Sequence, residues 1–168
     1  MKRRVFAAAL LVSVGAAATA AFAALEIATR FGALQIVGQY GDALSFKGRR
    51  VLQGHNALSG VETFRFGSGA DPAHAADVVL VEEAGGTACP ALYYFVRVSA
   101  SGEVKATTAF GTCGEFDSVT RKGDTILVTL PGYLGPFEHE AARAKAARER
   151  HVYTYRNGAL TKNGFPVP

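Results

Sequence analysis

The residues best able to do chemistry in this chain are two cysteines and four histidines. Cys89 and Cys113 lie 24 positions apart, so they lack the Cys-x-x-Cys spacing of redox and zinc-binding pairs. No histidine is close to either cysteine in the sequence. An even number of cysteines in an exported chain most simply forms a disulfide. We therefore predict a structural Cys89–Cys113 disulfide in preference to a reactive or metal-binding thiol pair.

The four histidines are scattered and form no metal-binding motif. They are His55, His74, His139 and His151. No two of them are spaced i, i+2 or i, i+4, as ligands on one strand or helix face would be. A metal site would need three of them to converge in the fold. We therefore predict no metal ligand and expect the histidines to lie in loops or to face solvent.

Patterns typical of catalytic and cofactor sites are also missing. Ser59 precedes a glycine in a turn dipeptide, and no serine occupies a Gly-x-Ser-x-Gly elbow. Glu82 and Glu83 are adjacent, so on a strand they would point to opposite faces. Gly85-Gly86 has neither the Lys-Ser/Thr nor the helix start of a phosphate-binding loop. We predict no catalytic residue, no cofactor-binding residue and no enzyme activity.

The cysteines would be positioned by a β-hairpin within the range 85–115. Residues 92–98, LYYFVRV, are aromatic or β-branched for the most part, and residues 99–102, SASG, form a turn signal. Residues 103–110 then return, with Val98 paired to Glu103. This register brings Cys89 to within one residue of facing Cys113. The predicted core face consists of Tyr93, Phe95, Val104, Ala106 and Phe110.

Tyr94 lies on the other face of this hairpin. That face is either covered by a second layer of the protein or open to solvent. In the second case Tyr94 would be a contact residue for a partner, since tyrosine combines an apolar ring with a polar hydroxyl. We keep Tyr94 as the candidate contact residue.

The rest of the chain indicates a single β-rich domain over 24–168. Short runs of strand-forming residues alternate with turn residues about every ten positions, which gives roughly eight to ten short antiparallel strands. Residues 77–82, DVVLVE, predict a buried central strand. Both a β-sandwich and a bent, partly closed sheet fit this pattern. Residues 138–150, rich in Ala, Glu, Lys and Arg, predict one peripheral C-terminal helix.

The N-terminus indicates export. Lys2, Arg3 and Arg4 precede an apolar run, and Ala21-Phe22-Ala23 forms a small-residue cleavage pattern. We predict a signal peptide over 1–23, cleaved after Ala23, rather than an uncleaved anchor. The protein would then be periplasmic or secreted, with no stable membrane span.

Cleavage would remove most of the positive charge. The chain has 18 basic and 14 acidic residues, and three of the basic ones lie in the signal segment, which leaves a net charge of +1. Nucleic acid is therefore not expected as a partner. We expect a non-catalytic protein-binding factor such as an inhibitor, an immunity protein or an envelope accessory protein, whose partner is an envelope protein. The alternatives are a small-ligand carrier and a hydrolase whose site assembles from distant residues.

Overall fold

Three antiparallel sheets and one short helix make up the fold. The computed structural model describes residues 25–67 and 75–167, and the predicted signal peptide lies outside them. The N-terminal sheet contains β1 (Glu26–Ile27), β2 (Leu34–Val37), β3 (Ala43–Phe46) and β4 (Arg49–Gln53). The central sheet contains β5 (Leu58–Phe66), β6 (Ala76–Gly86), β7 (Cys89–Ser99), β8 (Val104–Ala106) and β9 (Phe110–Cys113).

The C-terminal sheet completes the domain. It contains β10 (Ser118–Lys122), β11 (Thr125–Pro131), β12 (Arg150–Arg156), β13 (Ala159–Lys162) and β14 (Phe165–Pro166). Helix α1 (Glu140–Ala146) connects β11 to β12. The described strands outnumber the eight to ten predicted because pieces as short as β1, β8 and β14 also pair.

The central sheet is buried on both faces, which explains the continuous apolar runs of β6 and β7. One face packs on the C-terminal sheet through a core that includes Phe95, Phe110 and Tyr155. The other face packs on the N-terminal sheet through a core that includes Val79 and Leu44. The predicted β-sandwich with a single helix is confirmed, with three layers.

The hairpin register differs by one residue from the prediction. Val98 pairs with Val104, not with Glu103. The turn is longer than predicted because Gly102 takes a positive φ of 82° and the Ser99 amide bonds back to the Glu103 carbonyl. A shift of one residue exchanges the two faces of a strand. Val104 therefore packs on the N-terminal side, whereas Phe110 is in the opposite core as predicted.

The predicted helix over 138–150 is shorter in the structure. Helix α1 covers only Glu140–Ala146, and Arg150 already begins β12. Ala146 is its one buried residue, which agrees with a peripheral position. The helix ends early because it offers the core nothing larger than alanine and receives no side-chain cap at His139.

Candidate functional site

The two cysteines form the predicted disulfide. Cys89 at the start of β7 is bonded to Cys113 at the end of β9, with 4.5 Å between the Cα atoms. Neither cysteine is free. The disulfide defines one end of the molecule, which we call the disulfide end.

Tyr94 is buried, so of the two alternatives left open for this face the structure favours the covered one. Its exposed fraction is 6%, and its ring packs in the core between the N-terminal and central sheets. The hydroxyl donates a 2.5 Å hydrogen bond to Glu83 Oε2. Burial and this carboxylate both raise the pKa of Tyr94. The layer that covers this face of β7 is the N-terminal sheet.

Glu83 fastens the loop between β4 and β5. Its buried carboxylate accepts hydrogen bonds from the His55 amide at 2.7 Å and the Asn56 amide at 2.9 Å, in addition to the Tyr94 hydroxyl. Burial pushes the Glu83 pKa upward, but these donors together hold it below its ordinary value. A carboxylate with its acceptor positions filled by the protein is a structural clamp rather than an acid or base.

The buried Asp77 is also structural. Its carboxylate accepts from the Arg30 Nε at 2.7 Å and from the Arg30 amide at 2.6 Å. The Arg30 guanidinium also donates to three backbone carbonyls around β5 and β6. Because both charged groups are satisfied within the protein, this pair fastens the β1–β2 connection to the central sheet.

His151 is the histidine that lies in a cleft, at the disulfide end. The cleft has a volume of about 420 Å³ and is formed by the β11–α1 connection, helix α1 and the edges of β12 and β13. Its polar lining includes Thr112, Lys145, Glu149, His151 and Lys162. His55 and His139 are exposed, and His74 lies outside the described residues. The structure therefore does not bring the described histidines together.

The imidazole of His151 has few polar contacts in this cleft. His151 Nε2 lies 3.6 Å from Glu149 Oε2, and its buried Nδ1 has no hydrogen-bond partner within the described chain. A nucleophile would need its hydroxyl directed at the histidine. The two hydroxyl residues of the cleft lining are directed elsewhere: Thr112 donates to the Pro131 carbonyl at 2.6 Å, and Tyr133 donates to the Thr87 carbonyl at 2.9 Å. This arrangement aligns no hydroxyl of the cleft lining with His151.

One exposed apolar side chain lines this cleft, another lines a neighbouring cleft, and a third lies on the connection that follows β11. Leu134 lines the first cleft at 39% exposure, and Phe137, three residues along the same connection, is 94% exposed. A second cleft of about 550 Å³ is lined mainly by apolar residues of β7, β9, β12 and the C-terminus. It includes Phe165, which is 76% exposed. Lys162 lines both clefts, so they are contiguous.

We call Leu134, Phe137 and Phe165 the apolar rim. The sequence reasoning missed these residues because Leu134 and Phe137 lie in a connection and Phe165 lies in a two-residue strand, so none of them belongs to a run long enough to show a strand or helix period. The available signal was position: Phe137 directly follows Gly135-Pro136, and Phe165 follows Asn163-Gly164, where neither side chain continues a buried strand pattern. An exposed aromatic residue in such a segment is a candidate contact residue.

Comparison of the chain with family models, curated proteins and solved structures finds no match. Within residues 25–67 and 75–167, no cluster of three or more His, Cys, Asp or Glu side chains could hold a metal ion. In the same ranges, no helix has the length and apolar character needed to span a membrane.

Proposed function

We propose that this chain is an exported, non-catalytic protein that binds another protein of the cell envelope through the apolar rim. The observation that carries the proposal is the exposure of Leu134 and Phe165, which line two clefts that share Lys162, together with the 94% exposure of Phe137 on the same connection as Leu134. Burying an exposed phenylalanine releases roughly 1.5–3 kcal/mol, which a partner surface can gain on binding. Aromatic side chains of this kind dominate the energetics of protein interfaces.

The surroundings of the apolar rim suggest the chemistry of the partner. Lys145 and Lys162 line the first cleft, and Glu149 is the carboxylate opposite them. A partner with apolar side chains for the rim and an acidic group for the lysines would be complementary to this surface. Charge complementarity of this kind contributes more to specificity and association rate than to affinity.

Export is supported by the N-terminal sequence and by the disulfide. The pattern Lys-Arg-Arg, apolar run, Ala-Phe-Ala is that of a secretory signal. A disulfide that crosslinks the central sheet persists in an oxidising compartment. N-terminal sequencing of the mature protein should begin at Ala24, and an intact Met1 terminus would contradict export by cleavage.

The two other function classes have less support at this end of the molecule. A carrier would need an enclosed apolar cavity, whereas both clefts here are open to solvent. A hydrolase would need a nucleophile beside His151, and Thr112 is directed at a carbonyl instead. An aromatic rim beside open clefts favours protein binding.

The proposal is tested by removing the two aromatic anchors. The double variant F137S/F165S, carried as a tagged protein in the producing cell, should recover its envelope partner at least about tenfold less than wild type. The matched control is Y40S, which removes an aromatic side chain that is 72% exposed in the β2–β3 connection of the N-terminal sheet. Circular dichroism checks that all three proteins are folded. Equal recovery by wild type and the double variant would contradict the proposal.

A further inference from the structure

Arg97 occupies a cleft between the central and C-terminal sheets, at the end of β7 opposite the disulfide. Tyr93, Phe95 and Arg97 alternate along one face of β7, so Arg97 continues the row of aromatic core residues. The Phe95 and Tyr155 rings lie 4.6 Å apart and form the floor of the row. Arg97 then lines two adjoining clefts of about 280 and 550 Å³, which share Tyr155 and Asn157.

The guanidinium of Arg97 has no hydrogen-bond or ion-pair partner in the part of the chain that the structure describes. Arg30, which is also half-buried, donates to Asp77 and to three backbone carbonyls. Removing a cation partly from water without a partner is unfavourable. Arg97 therefore lacks the structural contacts that hold Arg30 in place.

A second cation lies directly beside Arg97. Lys105 of β8 is its cross-strand neighbour, so the two side chains share a face of the sheet. Like charges at directly opposed positions destabilise a sheet. Glu103 pairs with the Lys105 ammonium at 2.8 Å, and the nearby Arg97 charge also helps to lower the pKa of this carboxylate. Asp124 is the acidic group on the other wall of the smaller cleft.

Neutral polar groups in the cleft complete an oxyanion site. Tyr155 brings a buried hydroxyl whose pKa is raised by burial, so it stays protonated, and the Gly158 amide is directed at the same oxygen. The Asn157 side chain lines both clefts. The walls between these groups include Phe66 and Val78, which are apolar.

We propose that this cleft binds a small organic carboxylate. The carboxylate is held by the Arg97 guanidinium, whose planar donors match its two oxygens, and Lys105, which is paired with Glu103, lies beside it. The apolar body of the ligand lies against Phe66 and Val78. This site is independent of the proposed protein-binding surface, since the two are at opposite ends of β7.

The test is a titration of ¹⁵N-labelled protein with benzoate, followed by amide chemical shifts. Benzoate at millimolar concentration should shift the Arg97, Asn157 and Gly158 signals saturably. R97Q should weaken binding by about tenfold or more, because a charge-assisted bidentate contact is lost. K105Q, at a 73% exposed side chain whose replacement leaves the fold intact, should weaken it by a smaller factor. R148Q, which removes an exposed charge beside helix α1, is the matched control and should bind as wild type does.

Three results would overturn the proposal. These are an absence of saturable shifts in wild type, equal affinity of wild type and both cleft variants, or shifts located away from the cleft. A parallel titration with inorganic phosphate distinguishes the ligand class. Binding of phosphate but not benzoate, lost in R97Q, would overturn the assignment to an organic carboxylate.

Discussion

Replacing both cysteines by serine, C89S/C113S, should lower the free energy of unfolding by an amount set by the length of the loop that the disulfide closes. The disulfide closes a loop with a sequence separation of 24 that contains all of β7, β8 and β9. These strands form half of the central sheet, on which the other two sheets pack. Without the bond, the unfolded chain gains conformational freedom that the folded state does not share.

The magnitude follows from the length of that loop. In the chain-entropy treatment, closing a loop of this length is worth about 3.5 kcal/mol at 25 °C. Serine is close to cysteine in size, and both cysteines are only half-buried, so the substitution itself adds little. A loss of this size in a domain of this length lowers the melting temperature by roughly 10 °C.

The assay is urea unfolding followed by far-ultraviolet circular dichroism, for the mature wild type and the double variant. Wild-type protein reduced with dithiothreitol is the matched control, because it loses the same crosslink without a substitution. Reduced wild type and C89S/C113S should agree with each other and differ from oxidised wild type. If all three proteins have the same unfolding midpoint, the disulfide does not stabilise the fold.

Two further predictions concern the loop clamp and the helix. E83Q should cost about 1–3 kcal/mol at neutral pH, because Glu83 is a buried acceptor of several hydrogen bonds. Its folded pKa lies below the ordinary 4.5, so this stability is present above pH 4.5 and is lost as the pH falls through the folded value. The difference in unfolding free energy between E83Q and wild type should therefore narrow in acid. The exposed E62Q is the control variant. A difference that does not change with pH would contradict the role of Glu83 as a clamp. Replacing Glu140–Ala146 by a Gly-Ser linker should cost less than about 1 kcal/mol in urea unfolding, since Ala146 is the one buried residue; loss of cooperative unfolding would show that the helix covers core.

The sequence predicted those features that local patterns determine. The dipeptides Lys47-Gly48 and Asn157-Gly158 are typical of tight hairpin turns, and each adopts the positive φ values that such hairpins need. The apolar run at 77–82 was recognised as a buried strand and forms the middle of β6. In each case, neighbouring residues carry the whole signal.

Long-range packing explains what the sequence did not predict. Whether Tyr94 is exposed depends on the N-terminal sheet covering the second face of β7, which no feature of β7 reveals. The dipeptide Ser59-Gly60 predicts a turn, yet both residues belong to β5. Gly60 is needed there because an added Cβ would lie 2.9 Å from Ile27 of β1. The glycine therefore reflects close packing between sheets rather than a turn.

The candidate sites were beyond sequence reasoning for the same reason. The cleft with His151 combines residues from β9, β13 and the β11–α1 connection, which are up to fifty positions apart. The Arg97 cleft depends on Tyr155 and Asn157, on a different sheet. Neither set has a spacing that a motif could describe.

Site-specific photocrosslinking in the producing cell tests the proposed protein-binding surface most directly. A benzophenone amino acid is placed at Phe137, at Phe165 and, as control, at Tyr40, all of which are largely exposed. The proposal predicts one discrete crosslinked partner, identified by mass spectrometry and shared by positions 137 and 165, with none at position 40. Absence of a discrete product at both rim positions, a product of the mass of two copies of this chain, or the same product at all three positions would contradict it.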